Sequence, residues 1–229
     1  MRTAAIIVAA GRGRRMDSLL PKVFLPLAGR TVLARSVGTF LRHPGVDRVV
    51  VAVADEPAAR RALADDAGRV RLVAGGQRRQ DSVLNGLHAA GEVDIVLVHD
   101  AARPLVEPSL IDAIIAAAAE FGAAVPITPV AATVKRLSGD GFVLTTVPRE
   151  DLGLAQTPQG FQTRLLRRAF ESISAGQQAT DDAALVERLG VRVRAVDGSP
   201  RNIKITVPAD LELAEALLAR MERLESSDG

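Results

Sequence analysis

The residues best suited to chemistry stand in short segments that directly follow apolar runs. The first is Ala9-Ala10-Gly11-Arg12-Gly13-Arg14-Arg15-Met16, with Lys22 following after Pro21. Small residues let main chain approach a ligand closely, successive backbone N–H groups can point at an anion, and several cations stand beside them. That combination suits a triphosphate. Two familiar phosphate loops do not fit. A dinucleotide fingerprint needs glycine where Met16 stands, and a P-loop needs Gly-Lys-Ser/Thr where Met16-Asp17-Ser18 stands. The plainer alternative is a surface turn carrying solvated arginines.

A second segment, Gly75-Gly76-Gln77-Arg78-Arg79-Gln80-Asp81-Ser82, has paired glycines that would let a flat ligand press on main chain. A simple strand-to-helix turn would look the same. A third, His99-Asp100-Ala101-Ala102-Arg103-Pro104, places Asp100 at the carboxyl end of a strand, where ligands bind in open α/β sheets. Asp100 could hold a metal ion or a sugar hydroxyl and Arg103 a phosphate, or the two could form a local ion pair. His99 reads as structural, and no Ser/His/Asp order emerges. Thr133, Arg149, Thr157, Thr180-Asp181-Asp182 and Asn202-Ile203-Lys204-Ile205-Thr206 are individually weak signals. Thr180 or Asp181 reads equally well as a helix N-cap. Lys204, by contrast, is a cation inside an apolar, strand-like stretch. Lys22, Lys135 and Lys204 are the only lysines among 29 basic residues. Where arginine is the default cation, a compact ammonium asks for a local reason.

These segments need a scaffold, and the apolar pattern supplies one. Thr3–Ala10, Asp47–Ala54, Arg69–Ala74, Asp94–His99 and Ala123–Ile127 read as buried strands. Between them, Thr31–Arg42, Glu56–Asp66, Arg79–Ala90 and Pro108–Phe121 read as helices. This alternation predicts βαβ units and a Rossmann-like, mostly parallel sheet flanked by helices. Ala132–Leu137 and Phe142–Val147, joined by Ser138-Gly139-Asp140-Gly141, break the alternation as an inserted β-hairpin arm. Ala155–Phe161, helices near Thr163–Ile173 and Asp181–Leu189, a strand Val191–Val196 and a helix Pro208–Leu224 follow. No linker or repeat divides residues 1–229, so one domain with an arm at 132–147 is expected.

Composition narrows the function classes. The chain has 229 residues, no Cys, Trp or Tyr, six Phe and a net charge of +2. Thiol catalysis, Cys-ligated zinc and iron–sulfur clusters are excluded. Too few aromatics are present for a base-stacking platform, so no nucleic-acid partner is expected. No apolar stretch approaches a membrane span, and the first residues lack a secretory core; a cytoplasmic protein without membrane contact is expected.

Taken in order, AAGRGRRM…PK, GGQRRQDSV, VLVHDAARP, TVK, QTPQGF, TDDA and NIKIT resemble the 2-C-methyl-D-erythritol 4-phosphate cytidylyltransferases of the non-mevalonate isoprenoid pathway. The likeness runs from Ala9 to about Ala219. It implies that Ala9, Ala10, Gly11, Gly13, Gly76, Gln77 and Ser82 hold CTP, and that Arg15 and Lys22 stabilise charge at its α-phosphate. It implies that Asp100, Arg103, Thr133, Arg149, Thr157, Thr180, Lys204 and Thr206 position methylerythritol phosphate. Gln77 replaces an acidic residue found in some relatives. Mg²⁺ is implied on the CTP phosphates with few protein ligands. A homodimer joined through the arm is also implied, with Thr133 and Arg149 completing the partner's site. Some relatives are far longer, being fused to the cyclodiphosphate synthase of the same pathway; that second activity is not expected here. The alternatives are a ribitol-5-phosphate cytidylyltransferase, a non-catalytic nucleotide-binding regulator and, against Met16, an NAD-binding oxidoreductase.

Overall fold

A computed structural model describes residues 1–11, 20–172 and 178–227. Its elements run in chain order: β1 (Thr3–Val8), β2 (Pro26–Leu27), β3 (Arg30–Thr31), α1 (Val32–Arg42), β4 (Arg48–Val53), α2 (Glu56–Leu63), β5 (Arg71–Ala74), α3 (Arg79–Ala90), β6 (Ile95–Asp100), α4 (Pro108–Phe121) and β7 (Ala123–Pro129). Then follow β8 (Val134–Leu137), β9 (Val143–Val147), β10 (Gly153–Ala155), β11 (Gln159–Gln162), α5 (Thr163–Glu171), α6 (Ala183–Glu187), β12 (Arg194–Asp197) and α7 (Pro208–Ser227). The first strands and helices fall where the apolar spacing puts them. Caps explain two starts. Thr31 accepts the Ala34 N–H at 3.0 Å and opens α1; Asp55 accepts the Ala58 N–H at 2.9 Å and opens α2.

Eight strands form one mixed, mostly parallel sheet. β5, β4, β1 and β6 run parallel in that order, with Ile6 opposite Val50 and Val98. β11 then lies antiparallel between β6 and β7. β10 extends that same edge of β7, and β12 takes the other edge in parallel. The segment expected as one piece, Ala155–Phe161, is thus two strands. They are separated by Gln156-Thr157-Pro158, which contains a cis Thr157–Pro158 peptide. The late strand is also displaced, from Val191–Val196 to Arg194–Asp197.

β1 is apolar after Thr3 because helices cover both of its faces. Ile7 packs with Phe40, Ile111 and Ile114 on one side, and Ile6 with Val83, Leu87 and Phe161 on the other. Gly86 is where α3 presses on β1: a Cβ there would lie 2.4 Å from Ile6 Cγ2. His99 ends β6 inside the core, its ring 4.8 Å from that of Phe40. Burial pushes its imidazole down to about 4. The β8–β9 hairpin pairs only with itself, and Leu137, Phe142, Val143 and Leu144 on it are exposed. No described helix is long and apolar enough to cross a membrane.

Two predictions follow from this packing. Alanine normally gains about 1 kcal/mol over glycine within a helix. At position 86 the overlap with Ile6 should reverse that sign, because overpacking costs about 1–3 kcal/mol. Urea denaturation should show Gly86→Ala less stable than wild type, while Gly68→Ala, which meets nothing within 4 Å, should not be. For His99, the folded pKa lies below the unfolded value of about 6.5. Its contribution is therefore complete above that pH and is lost as pH falls toward 4, at up to about 1.4 kcal/mol per unit. His99→Gln should flatten the stability–pH curve between those limits; an unchanged slope would refute the buried neutral state.

Candidate active site

The segments singled out by residue type meet at the carboxyl ends of β1, β5 and β6. Ala9 still pairs with β4 through its N–H to the Ala52 carbonyl at 2.8 Å. Ala10 and Gly11 follow it, Ala10 half-buried and Gly11 exposed. The second loop lies directly on the first: a Cβ on Gly75 would sit 2.2 Å from the Ala10 Cβ. Only glycine permits that approach. Gly76 is equally confined, with Asp81 Cβ 2.2 Å from where its own would be. The Gly76 N–H donates to Ser82 Oγ at 3.0 Å, and the Ser82 hydroxyl reaches the Arg78 carbonyl at 3.3 Å. Ser82 is buried and shapes the loop from within, whereas Gln77 is exposed. Gly13 and Arg15 lie outside the described residues.

Asp100 is the electrostatic centre, only 8% exposed. Lys204 Nζ donates to its Oδ2 at 2.6 Å and Arg79 Nε to its Oδ1 at 3.1 Å. Burial alone would raise this carboxyl, but the charges of Arg79 and Lys204 overcome that and hold it well below the ordinary carboxylate range. The same guanidinium donates through Nη1 to Asp182 Oδ2 at 2.7 Å. The four side chains alternate in sign: Asp182, Arg79, Asp100, Lys204. The local Asp100–Arg103 ion pair considered from sequence does not form as a side-chain contact. The Arg103 guanidinium instead donates to the carbonyls of Asn202 at 2.7 Å and Ala155 at 3.4 Å, and its buried Nε has no hydrogen-bond partner. Burial lowers its pKa from the usual arginine value.

Beneath Asp100 runs a directional chain. His99 Nε2 lies 3.1 Å from the Arg103 carbonyl, which can only accept. In the neutral ring the proton is therefore on Nε2, and Nδ1 accepts from the Thr157 hydroxyl at 3.1 Å. That hydroxyl in turn accepts the Asp100 N–H at 3.1 Å. Thr157, buried with its proton donated to His99, thus fixes the Asp100 backbone.

Residues 201–206 form no strand, contrary to the strand-like reading around Lys204. Their main chain is pinned instead. Asn202 donates to the Thr157 carbonyl at 2.8 Å, the Ile205 N–H to the Ala102 carbonyl at 2.8 Å, and Lys22 Nζ to the Ile205 carbonyl at 2.7 Å. These bonds bring Lys22, Asp100, Arg103, Thr157 and Lys204 together. Thr206 is committed to Asp210, whose Oδ2 accepts both its N–H and its hydroxyl at 2.6 Å. Thr180 is exposed, and Asp181 rather than Thr180 caps α6, accepting the Ala184 N–H at 3.0 Å. Thr133 and Arg149 stand exposed at the base of the arm, with Arg149 bonded to the Ala131 carbonyl and not to the Asp100 group. Sequence reading gave Arg79 and Asp182 no role. The available hint was Arg79 at the first position of α3, a cation at the positive end of the helix dipole.

Comparison with known proteins agrees with this geometry. A family model described as 2-C-methyl-D-erythritol 4-phosphate cytidylyltransferase matches residues 3–220. The protein of that name from Syntrophotalea carbinolica is 48% identical over 226 residues, covering 95% of this chain and 97% of its own. That from Rhodococcus jostii is 47% identical over 216 residues, covering 93% and 94%. The crystal structure of the 2-C-methyl-D-erythritol 4-phosphate cytidylyltransferase from Thermus thermophilus superposes with a TM-score of 0.80 at 40% identity, covering 95% of this chain and 98% of that one. With the family model spanning nearly its whole length and relatives close to half identical, the chain belongs to the 2-C-methyl-D-erythritol 4-phosphate cytidylyltransferase family.

Proposed function

We propose that this chain transfers the cytidylyl group of CTP to 2-C-methyl-D-erythritol 4-phosphate, releasing pyrophosphate, in the cytoplasm and as a single transferase unit with a projecting arm. The observation that carries the reading is Arg103. Its largely buried guanidinium bonds only carbonyl oxygens, beside Lys22 and Lys204, so the cluster has charge to offer an anion. The substrate phosphate is already an anion and needs no strong base to attack the α-phosphorus in line. Consistent with this, His99 has both ring nitrogens committed inside the core. The work of the protein is to bring two polyanions together and to hold negative charge as the phosphoryl bond changes partners. Lys22 and Arg15 serve the α-phosphate in this reading. Lys204, Arg103 and Asp100 orient the polyol phosphate, with Thr157 acting through the Asp100 backbone. The loops at Ala9–Gly11 and Gly76 frame the cytosine.

Asp100 is a poor metal ligand, since cations occupy both oxygens, and no group of three metal-ligating side chains occurs among the described residues. These side chains do not fit a protein-bound Mg²⁺. A Mg²⁺ ion carried on the triphosphate would lower its net charge.

The arm supports a homodimer. A lone two-stranded hairpin is marginal in water, and this one exposes 58% of Leu137, 70% of Phe142, 59% of Val143 and 62% of Leu144. Laid against a second copy, it would gain a cover, and Thr133 and Arg149 would enter the partner's site.

Pyrophosphate release with CTP, Mg²⁺ and methylerythritol phosphate tests the activity; release only with ribitol phosphate, or none, would overturn it. Lys22→Ala should lower turnover about 100- to 1,000-fold, as loss of one preorganised charge contact does. Lys22→Arg should also be impaired, since a planar fork cannot replace a compact ammonium reaching the Ile205 carbonyl. Near-normal turnover in both would remove Lys22 from the site. For the dimer, Arg15→Ala and Arg149→Ala proteins, each nearly inactive, are unfolded and refolded together. If Arg149 serves the partner, each heterodimer holds one intact site, and about a quarter of wild-type sites return. Confirmed heterodimers without recovered activity would place Arg149 in its own chain's site.

A further inference from the structure

We propose that Asp182 and Arg79 are positioning residues that set the placement of Lys204 through Asp100, so that the ladder Asp182–Arg79–Asp100–Lys204 acts as one unit. What Lys204 does to the substrate rests on the cytidylyl-transfer reading; the ladder itself does not.

Three features of the pair have no local explanation. Arg79 opens α3, where a cation opposes the helix dipole. Its guanidinium bridges two carboxylates through different nitrogens, Nε toward Asp100 and Nη1 toward Asp182. A planar fork can do this and an ammonium cannot. Asp182 stands at the N-cap of α6 yet makes no cap bond; Asp181 caps instead. The Asp182 carboxylate turns inward, 1% exposed, with Oδ1 lacking any hydrogen-bond partner. Burial pushes that carboxyl upward against the opposing pull of Arg79. A buried carboxylate with one oxygen unpartnered is costly, and the contact it makes is the one that orients Arg79.

The geometry transmits along the ladder. Arg79 occupies Asp100 Oδ1, which leaves Oδ2 to receive Lys204 at 2.6 Å. Lys204 has no ladder partner in the backbone around it, so the carboxylate decides where its ammonium stands. Without Asp182, Arg79 is free to swing toward Asp100 and compete for both oxygens. Without Arg79, Asp100 is free to rotate. Asp100 also faces Arg103 and His99, which remain in either variant.

The scarcity of lysine makes the test direct. Only Lys22, Lys135 and Lys204 would give signals in a ¹³C-lysine NMR spectrum, and Lys204→Arg identifies the relevant one. In Asp182→Asn and in Arg79→Gln the Lys204 signal should move, while that of Lys135 on the arm stays. Turnover should fall at least about tenfold in each, through kcat and the KM for the polyol phosphate, with the KM for CTP within about twofold. The double variant should lose no more than the worse single one, because either change breaks the same unit. Arg79→Lys, able to hold one carboxylate but not two, should recover only part of the loss. Thermal midpoints and CTP binding by calorimetry report on the fold; if Asp182→Asn does not fold, Asp182→Glu takes its place with the same readouts. An unmoved Lys204 signal together with kcat and KM within about twofold of wild type would overturn the proposal, as would losses that multiply in the double variant. If the wild type releases no pyrophosphate, the transfer reading falls, and the Lys204 signal alone still decides the ladder.

Discussion

A carboxylate withdrawn from water at the end of a central strand is the constraint around which this site is organised. Ionised Asp100 is tolerable there only with cations in contact. They arrive from segments far apart in the chain: Arg79 from the start of α3 and Lys204 from the stretch before α7. That stretch is then pinned by Asn202, Ile205 and Lys22, and Asn202 ties it to the Thr157 turn. Satisfying one buried charge therefore draws four loops to one end of the sheet. Those same loops supply the other cations of the cluster, Lys22 and Arg103.

Close backbone packing is the second requirement. Gly75 lets the second small-residue loop close on the first, with only the Ala10 methyl between them. Below, His99 passes a fixed hydrogen-bond direction from Arg103 to Thr157 to Asp100. Because both ring nitrogens are used, the site gains order from its histidine and no proton donor. This suits a reaction whose nucleophile arrives ionised.

Much of the scaffold was legible because buried parallel strands read as unbroken apolar runs and helical spacing recurs between them. The paired glycines, Asp100, Arg103 and Lys204 were legible by residue type. What they touch was not. Asp100 meets Arg79 and Lys204, 21 and 104 residues away, instead of Arg103 three residues on. No local pattern encodes such a choice; it is made by which loops the sheet order brings together. The break at Gln156-Thr157-Pro158 had a local sign in Pro158, which cannot donate to a ladder, but the partners that the interruption serves, His99 and Asn202, are distant in sequence. Lys204 looked strand-like because Ile203 and Ile205 flank it; Ile205 packs with Leu27, Leu105 and Ala214 instead of in a ladder.

The placement of β11 has a consequence for biosynthesis. It lies between β6 and β7, both of which precede it in the chain. As the chain emerges from the ribosome, β5, β4, β1 and β6 can join as soon as they are made, but β7 finds no neighbour in the sheet. Until residues 159–162 appear, β6 presents an open edge and the two parts of the sheet stay apart. β12 can dock only after that, and Lys204 follows still later. Asp100 thus waits through a further 104 residues of synthesis before its last counter-charge exists, and the nascent enzyme acquires its complete electrostatic site only once Lys204 has been translated.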